Sequence, residues 1–238
     1  FWVHGMPVVL DSGAGKKTWV HPLPEFEKAA RATGHSYLAP DPDGMLRRFD
    51  PLITEGKESH LFLPLRVAFD KMKKPLSLSP GWKKLKDPQG KVLIPWSGTW
   101  DRGLTRYHAA DLIHSFYAIQ RGLRPVIDPQ GIAGKICLVG PTAPGTAEFE
   151  MTPFNIAYPR IGAYAQVLNA TLTDRWVRPV PFLGNLLCLL GSGGLAVLLF
   201  VMLSGVWSLI TGLLLVIGWF AFCWGAFALG HLGFYAVY

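Results

Sequence analysis

A chain of 238 residues, half of them hydrophobic, is long enough to bury one sizeable core, and its formal net charge of +7 raises nucleic acid or anionic lipid as partners. The excess charge is scattered, with only "KMKK" and "KKLK" clustered, so it reads as a solvated loop and no nucleic-acid partner is expected. Three widely spaced cysteines without a C-x-x-C pair exclude a disulfide framework and structural zinc, and neither a metal nor another cofactor is expected.

The first element in chain order is the strand "PVVL" (7–10), which runs into "DSGAGKKT". A phosphate loop needs G-x-x-x-x-G-K-[ST]. Here Leu10 stands where the first glycine belongs, Lys17 stands where the hydroxyl belongs, and Pro22 and Pro24 forbid the helix that should follow, so the segment reads as an exposed turn. "PEFEKAARATG" (24–34) predicts a helix with proline and acidic residues at its start and Gly34 past its end. "SYLA" (36–39) and "MLRRF" (45–49) predict two short strands flanking a tight turn over Pro40–Gly44, the expected β-hairpin. The D-x-D-G spelling at Asp41 also opens a calcium loop, but the twelfth place, which needs a bidentate glutamate, is Leu52.

Helices are predicted over "LPLRVAFDKM" (63–72), "TRYHAADLIHSFYAIQRG" (105–122) and "RIGAYAQVLNATLTDRW" (160–176), and strands over "KVLIP" (91–95) and "KICLVG" (135–140), the last holding Cys137. Gly140 and Gly145 have phosphate-loop spacing, yet Thr146 replaces the lysine and Pro141 and Pro144 remove two backbone donors. A polar loop at the carboxyl end of a strand is where open α/β sheets place ligands. Thr142, Thr146, Thr152 and Asn155 are therefore the candidate ligand-binding residues, and Gln166 on the following helix joins them below. No catalytic set emerges: His108 and His114 fall on different helix faces, no serine sits in a G-x-S-x-G elbow, and His21, His35 and His60 read as lone surface or satisfied loop residues.

All 23 Lys and Arg and all 16 Asp and Glu lie at or before Arg178, and beyond it His231 is the one histidine. Uncharged apolar runs at 181–203 and 206–230 are each long enough to span a bilayer, joined by a link short enough only for a helical hairpin. Cys188 and Cys223 fall in these runs. The fold class is thus α/β, a mixed sheet with flanking helices and one β-hairpin, followed by a transmembrane α-helical hairpin. The expected organisation is an extracytoplasmic domain over 1–178, membrane helices over 179–204 and 205–231, and the start of a loop or third span over 232–238. Because Phe1 follows no signal or apolar span, the chain is expected to be a fragment whose N-terminal part is missing.

Two stretches together resemble a known family. "YLAPDPDGMLRRFDPLI" is similar to a "PDPDG-x-x-RR" hairpin, and "GIAGKICLVGPTAPGTAEFEMTPFNIAYPRIGAYAQVLNATLTDRWVRPVP" is similar to the terminal block, of the second class of CHASE sensory domains (cyclases and histidine kinases associated sensing extracellular). The helix departs from the family's frequent "G-V-E-x-H-A-N": Gly162 and Ala163 replace the small-acid pair, and Gln166 lies near the asparagine slot. The resemblance implies a bacterial sensor in the cytoplasmic membrane with its domain facing the periplasm or cell exterior, no catalysis in this chain, and a missing cytoplasmic output. That output would be an adenylate or guanylate cyclase first, then a histidine kinase, diguanylate cyclase or Ser/Thr kinase. The expected partners are a small-molecule or protein signal, membrane lipid and a second copy in a homodimer. The stiff junction Arg178, Pro179, Pro181 is expected to transmit the signal. Arg175 and Arg178 before the first span favour the opposite sidedness on the positive-inside rule alone. Two further classes are a membrane-bound nucleotide hydrolase, which magnesium-ATP would stabilise against heat, and a structural envelope assembly protein.

Overall fold

The β-branched run at the start becomes β1 (Met6–Asp11), which pairs antiparallel with β2 (Thr18–Val20) and parallel with β3 (Thr33–His35) in a sheet of order β2-β1-β3. This computed structural model describes residues 6–11, 18–73, 82, 84–100, 104–180, 182–203, 205–230 and 232–233, so the glycine-lysine turn after β1 lies outside the described residues. Helix α1 (Pro24–Ala29) starts as expected, with proline in its first turn and Glu25 and Glu27 at the positive end of its dipole. It is shorter than the sequence predicts. Ala30 turns extended (φ −81°, ψ 138°), and Gly34 lies inside β3, whose register sets Val8 opposite His35. A Cβ on Gly34 would stand 2.8 Å from both the Leu61 carbonyl oxygen and the Leu63 Cα, so the close backbone approach, not a helix stop, is what requires this glycine.

The turn over Pro40–Gly44 forms, with the Gly44 N–H donating to the Asp41 carbonyl at 2.8 Å and Gly44 at φ +81°. Its expected first strand does not form. The extended pairing stops at His35, which bridges Phe62, and Pro40 has no N–H to continue a ladder. Antiparallel hairpins lie elsewhere: β5 (Leu52–Glu55) with β6 (Glu58–Leu61), turned at Gly56, and β8 (Phe149–Thr152) with β9 (Asn155–Pro159). Strand β4 (Arg48–Phe49) pairs with β7 (Val92–Leu93).

Helices α2 (Leu63–Lys71), α3 (Ala109–Gln120) and α4 (Arg160–Thr173) occupy the predicted stretches, and α3 is closed by Gly122 at φ +70°. The predicted strand at 135–140 is absent: the segment forms no ladder, Cys137 is exposed and Val139 is 93% exposed. Strand propensity needs a surface to pack on. Here Pro141 and Pro144 close the run, leaving no donors there for a ladder to continue.

The chain divides into two compact units, one of residues 1–39, 47–95 and 167–238, the other of 40–46 and 96–166, with α4 contributing to both. The first has an aromatic core in which Phe62 meets Phe49 at 4.9 Å between ring centroids, Phe49 stacks on Trp176 at 6.2 Å, and Trp176 meets Trp82 edge-on at 5.0 Å. The second is centred on the fully buried Tyr158, flanked edge-on by Trp96 at 5.0 Å and Trp100 at 5.6 Å. Gly162 keeps that centre closed, since a Cβ there would reach 2.9 Å from the Trp100 ring and closer still to Tyr158.

The charge-free tail forms α5 (Phe182–Met202) and α6 (Val206–Gly230), joined through Gly205 at φ +64°. Both have a mean hydropathy of 2.1 over their candidate spans, and none of that length is buried. At about 1.5 Å per residue, the 21 residues of α5 reach roughly 32 Å, enough for a hydrocarbon core of about 30 Å. Strand β10 (Arg178–Pro179), before α5, pairs in parallel with β11 (Leu232–Gly233), after α6, so the hairpin enters and leaves on one side. The expected α/β class with a terminal apolar helical hairpin is what the chain adopts.

Candidate functional site

The residues singled out from the sequence fall into three separate settings in the second unit. Thr142 lies exposed in the loop, and Thr146 caps its own turn by donating to the Ala143 carbonyl at 3.1 Å. Thr152 and Asn155 face each other across the tip of the β8–β9 hairpin: the Thr152 hydroxyl donates to the Asn155 carbonyl at 3.0 Å and accepts from its N–H at 3.1 Å. Their polar atoms hold the turn, as such side chains do wherever backbone groups lack ladder partners. Gln166 is 2% exposed, accepts from the Ser97 hydroxyl at 2.8 Å and donates to the Tyr158 hydroxyl at 3.2 Å. Burial raises the Tyr158 pKa, against the pull of Gln166 and the charge of Arg106, so the phenol stays a neutral partner in this network. At the start of α4, Arg160 pairs with Glu148 and, through Nε at 2.8 Å, with Glu150. Burial works to lower the Arg160 pKa, but Glu150 and then Glu148 outweigh it and raise it.

The first unit contains what the sequence did not reveal. A groove of about 610 Å³ opens beside α1 and β6, and Arg31, Arg66, Thr33, Ser59 and His60 are among the residues that line it. Arg31 is paired with Asp70 at 3.0 Å, whereas the Arg66 Nε is buried with no hydrogen-bond partner among the described residues. A half-buried guanidinium with an unmet donor is suited to a carboxylate or phosphate oxygen.

At the rim of the groove, His21, Glu58 and His60 come together. His21 Nε2 is 3.0 Å and His60 Nε2 3.1 Å from Glu58 Oε2, and His21 Nδ1 is 3.3 Å from Glu27 Oε1. Burial works to lower the His21 pKa, but hydrogen bonds with Glu27 and Glu58 outweigh it and hold it above the ordinary histidine value. His60, and then His21, hold the Glu58 carboxyl below the ordinary range. These histidines are neither lone nor idle; Glu58 and His60, two apart on one strand face, were the legible half of the signal. His35 departs differently. It is fully buried against Phe62, with ring centroids 5.3 Å apart, and desolvation pushes its pKa down to about 3.

At the membrane end, α4 buries Val167, Leu168, Ala170 and Thr171, and Trp176 locks into the aromatic core immediately before β10. Arg178 and Pro179 of the expected transmitting junction are therefore held in β10, while Pro181 lies outside the described residues. The family model described as the CHASE2 domain matches residues 5–206, reaching through the first apolar helix. No curated protein matches the chain. No solved structure matches it either.

Proposed function

The chain belongs to the CHASE2 domain family, and from this premise we propose that it is the signal-sensing region of a bacterial transmembrane receptor in the cytoplasmic membrane, its domain facing the periplasm or cell exterior. Such a sensory domain is not itself catalytic. The output it serves is cytoplasmic, an adenylate or guanylate cyclase first, then a histidine kinase, diguanylate cyclase or Ser/Thr kinase, and the receptor works as a homodimer.

The observation that carries the reading is the anchoring of Trp176 between Phe49 and Trp82, six residues before α5 begins. A change in the packing of this core has a short and stiff route to the first span, because Pro179 and Pro181 restrict the backbone between them. A signal can shift two packings only by its differential affinity for them. The groove with Arg31 and Arg66 favours a small anionic signal. In the full-length receptor, inserting a flexible Gly-Ser segment between Val180 and Pro181 uncouples output from signal while leaving the domain folded; unchanged coupling contradicts the reading.

A further inference from the structure

We propose that His21, Glu58 and His60 form a binding site for a zinc-class divalent ion, with His21 Nε2, His60 Nε2 and Glu58 Oε2 as ligands and Glu27 as the carboxylate that orients His21. The site is independent of the sensory reading.

Spacing carries the first part of the argument. Bonds of about 2.0–2.1 Å in a tetrahedron put neighbouring ligand atoms roughly 3.3 Å apart. The two nitrogen-to-oxygen edges here are 3.0 and 3.1 Å, and all three ligand atoms lie within 4.8 Å of one another, so only a small adjustment of surface side chains closes the third edge. The backbone is set for this. Glu58 and His60 project from the same face of β6, whose register against β5 places Ile53 opposite His60, and the Trp19 ring meets the His60 ring edge-on at 4.7 Å.

The second part is the outer carboxylate. Glu27 faces His21 Nδ1, so that nitrogen keeps its proton and donates, which leaves the Nε2 lone pair for a metal. Two imidazoles and a carboxylate suit zinc and its neighbours, whereas calcium and magnesium require oxygen sets. Three protein ligands leave a fourth position, next to a groove that shares His60 and Glu27 with the cluster.

The test uses the tag-free full chain in detergent, stripped of metal, titrated with zinc by calorimetry and with cobalt by visible absorption. One equivalent binds, and cobalt gives the intense bands of a tetrahedral site. His21→Ala and His60→Ala each weaken zinc at least about tenfold, Glu27→Gln weakens it about 10- to 100-fold, and His114→Ala on α3 leaves it unchanged. Since His21 and Glu58 are surface residues, metal-free His21→Ala and Glu58→Gln should melt with the parent, which separates lost ligands from lost fold. Absence of one-equivalent binding, unchanged affinity in both histidine variants, or equal loss in His114→Ala overturns the proposal.

Discussion

The head and the tail use the same apolar side chains to opposite ends. In the head, Phe62 and Leu65 are wholly buried, whereas in the tail Phe200 is 68% and Trp224 75% exposed. Water drives the first arrangement, because each buried apolar group is removed from it. The second makes sense only where the surroundings are themselves apolar, and in such surroundings close packing, not burial, is what drives helices together. One chain thus folds against two solvents, and the change falls within a few residues of Arg178.

This contrast can be broken by paired substitutions. Phe62→Ala removes a ring from the aromatic core and costs about 3–5 kcal/mol of head stability, read from denaturant melts, while Phe200→Ala changes head stability by less than about 0.5 kcal/mol. An arginine reverses the weighting. Leu190→Arg, near the middle of α5, penalises membrane insertion by roughly 2.5–3.5 kcal/mol, measured as the inserted fraction, whereas Ile119→Arg on exposed α3 leaves head stability within about 0.5 kcal/mol.

A smaller effect comes from His35, which brings pH into the same comparison. Its pKa is depressed in the folded head, so between about 3 and the ordinary value of 6.5 the unfolded chain binds a proton that the folded one does not. Stability therefore falls as pH falls through that window, by about 2 kcal/mol between pH 7 and 5. His35→Leu should flatten the slope of melting temperature against pH, and an unchanged slope would remove His35 as its cause.

Legibility in the sequence followed the range of the interaction. The charge-free tail, the proline start of α1, Gly122 after α3 and the start of α4 at Arg160 are local signals, and they are readable. The tight turn at Gly44 was readable too, but not the strand expected beside it, because pairing depends on what lies across the sheet. Gly34 misled for the same reason: a glycine after a helical pattern reads as a stop, yet here the backbone of Leu61 and Leu63 excludes a side chain. The His21, Glu58 and His60 cluster depends on a β2 exit and a β6 strand that are far apart in sequence, and only the Glu58-x-His60 alternation hinted at it. Thr142, Thr146, Thr152 and Asn155 read in the sequence as one polar loop, and the hydrogen bonds that Thr146, Thr152 and Asn155 make within their own turns depend on backbone geometry that the sequence does not spell out.

Sidedness is where composition and family pull apart, and labelling resolves it. With Cys188 and Cys223 replaced, an impermeant thiol reagent added to intact cells should modify the exposed Cys137 if the head faces outward. Labelling only after lysis would favour the side indicated by Arg175 and Arg178.

The most direct measurement is alkaline washing of membranes from cells expressing the full chain, followed by assay of both fractions. Retention in the membrane pellet, with release only by detergent, is the predicted result. A folded chain recovered in the aqueous fraction, with residues 182–230 protected from protease inside a globular core, would contradict the division between head and tail.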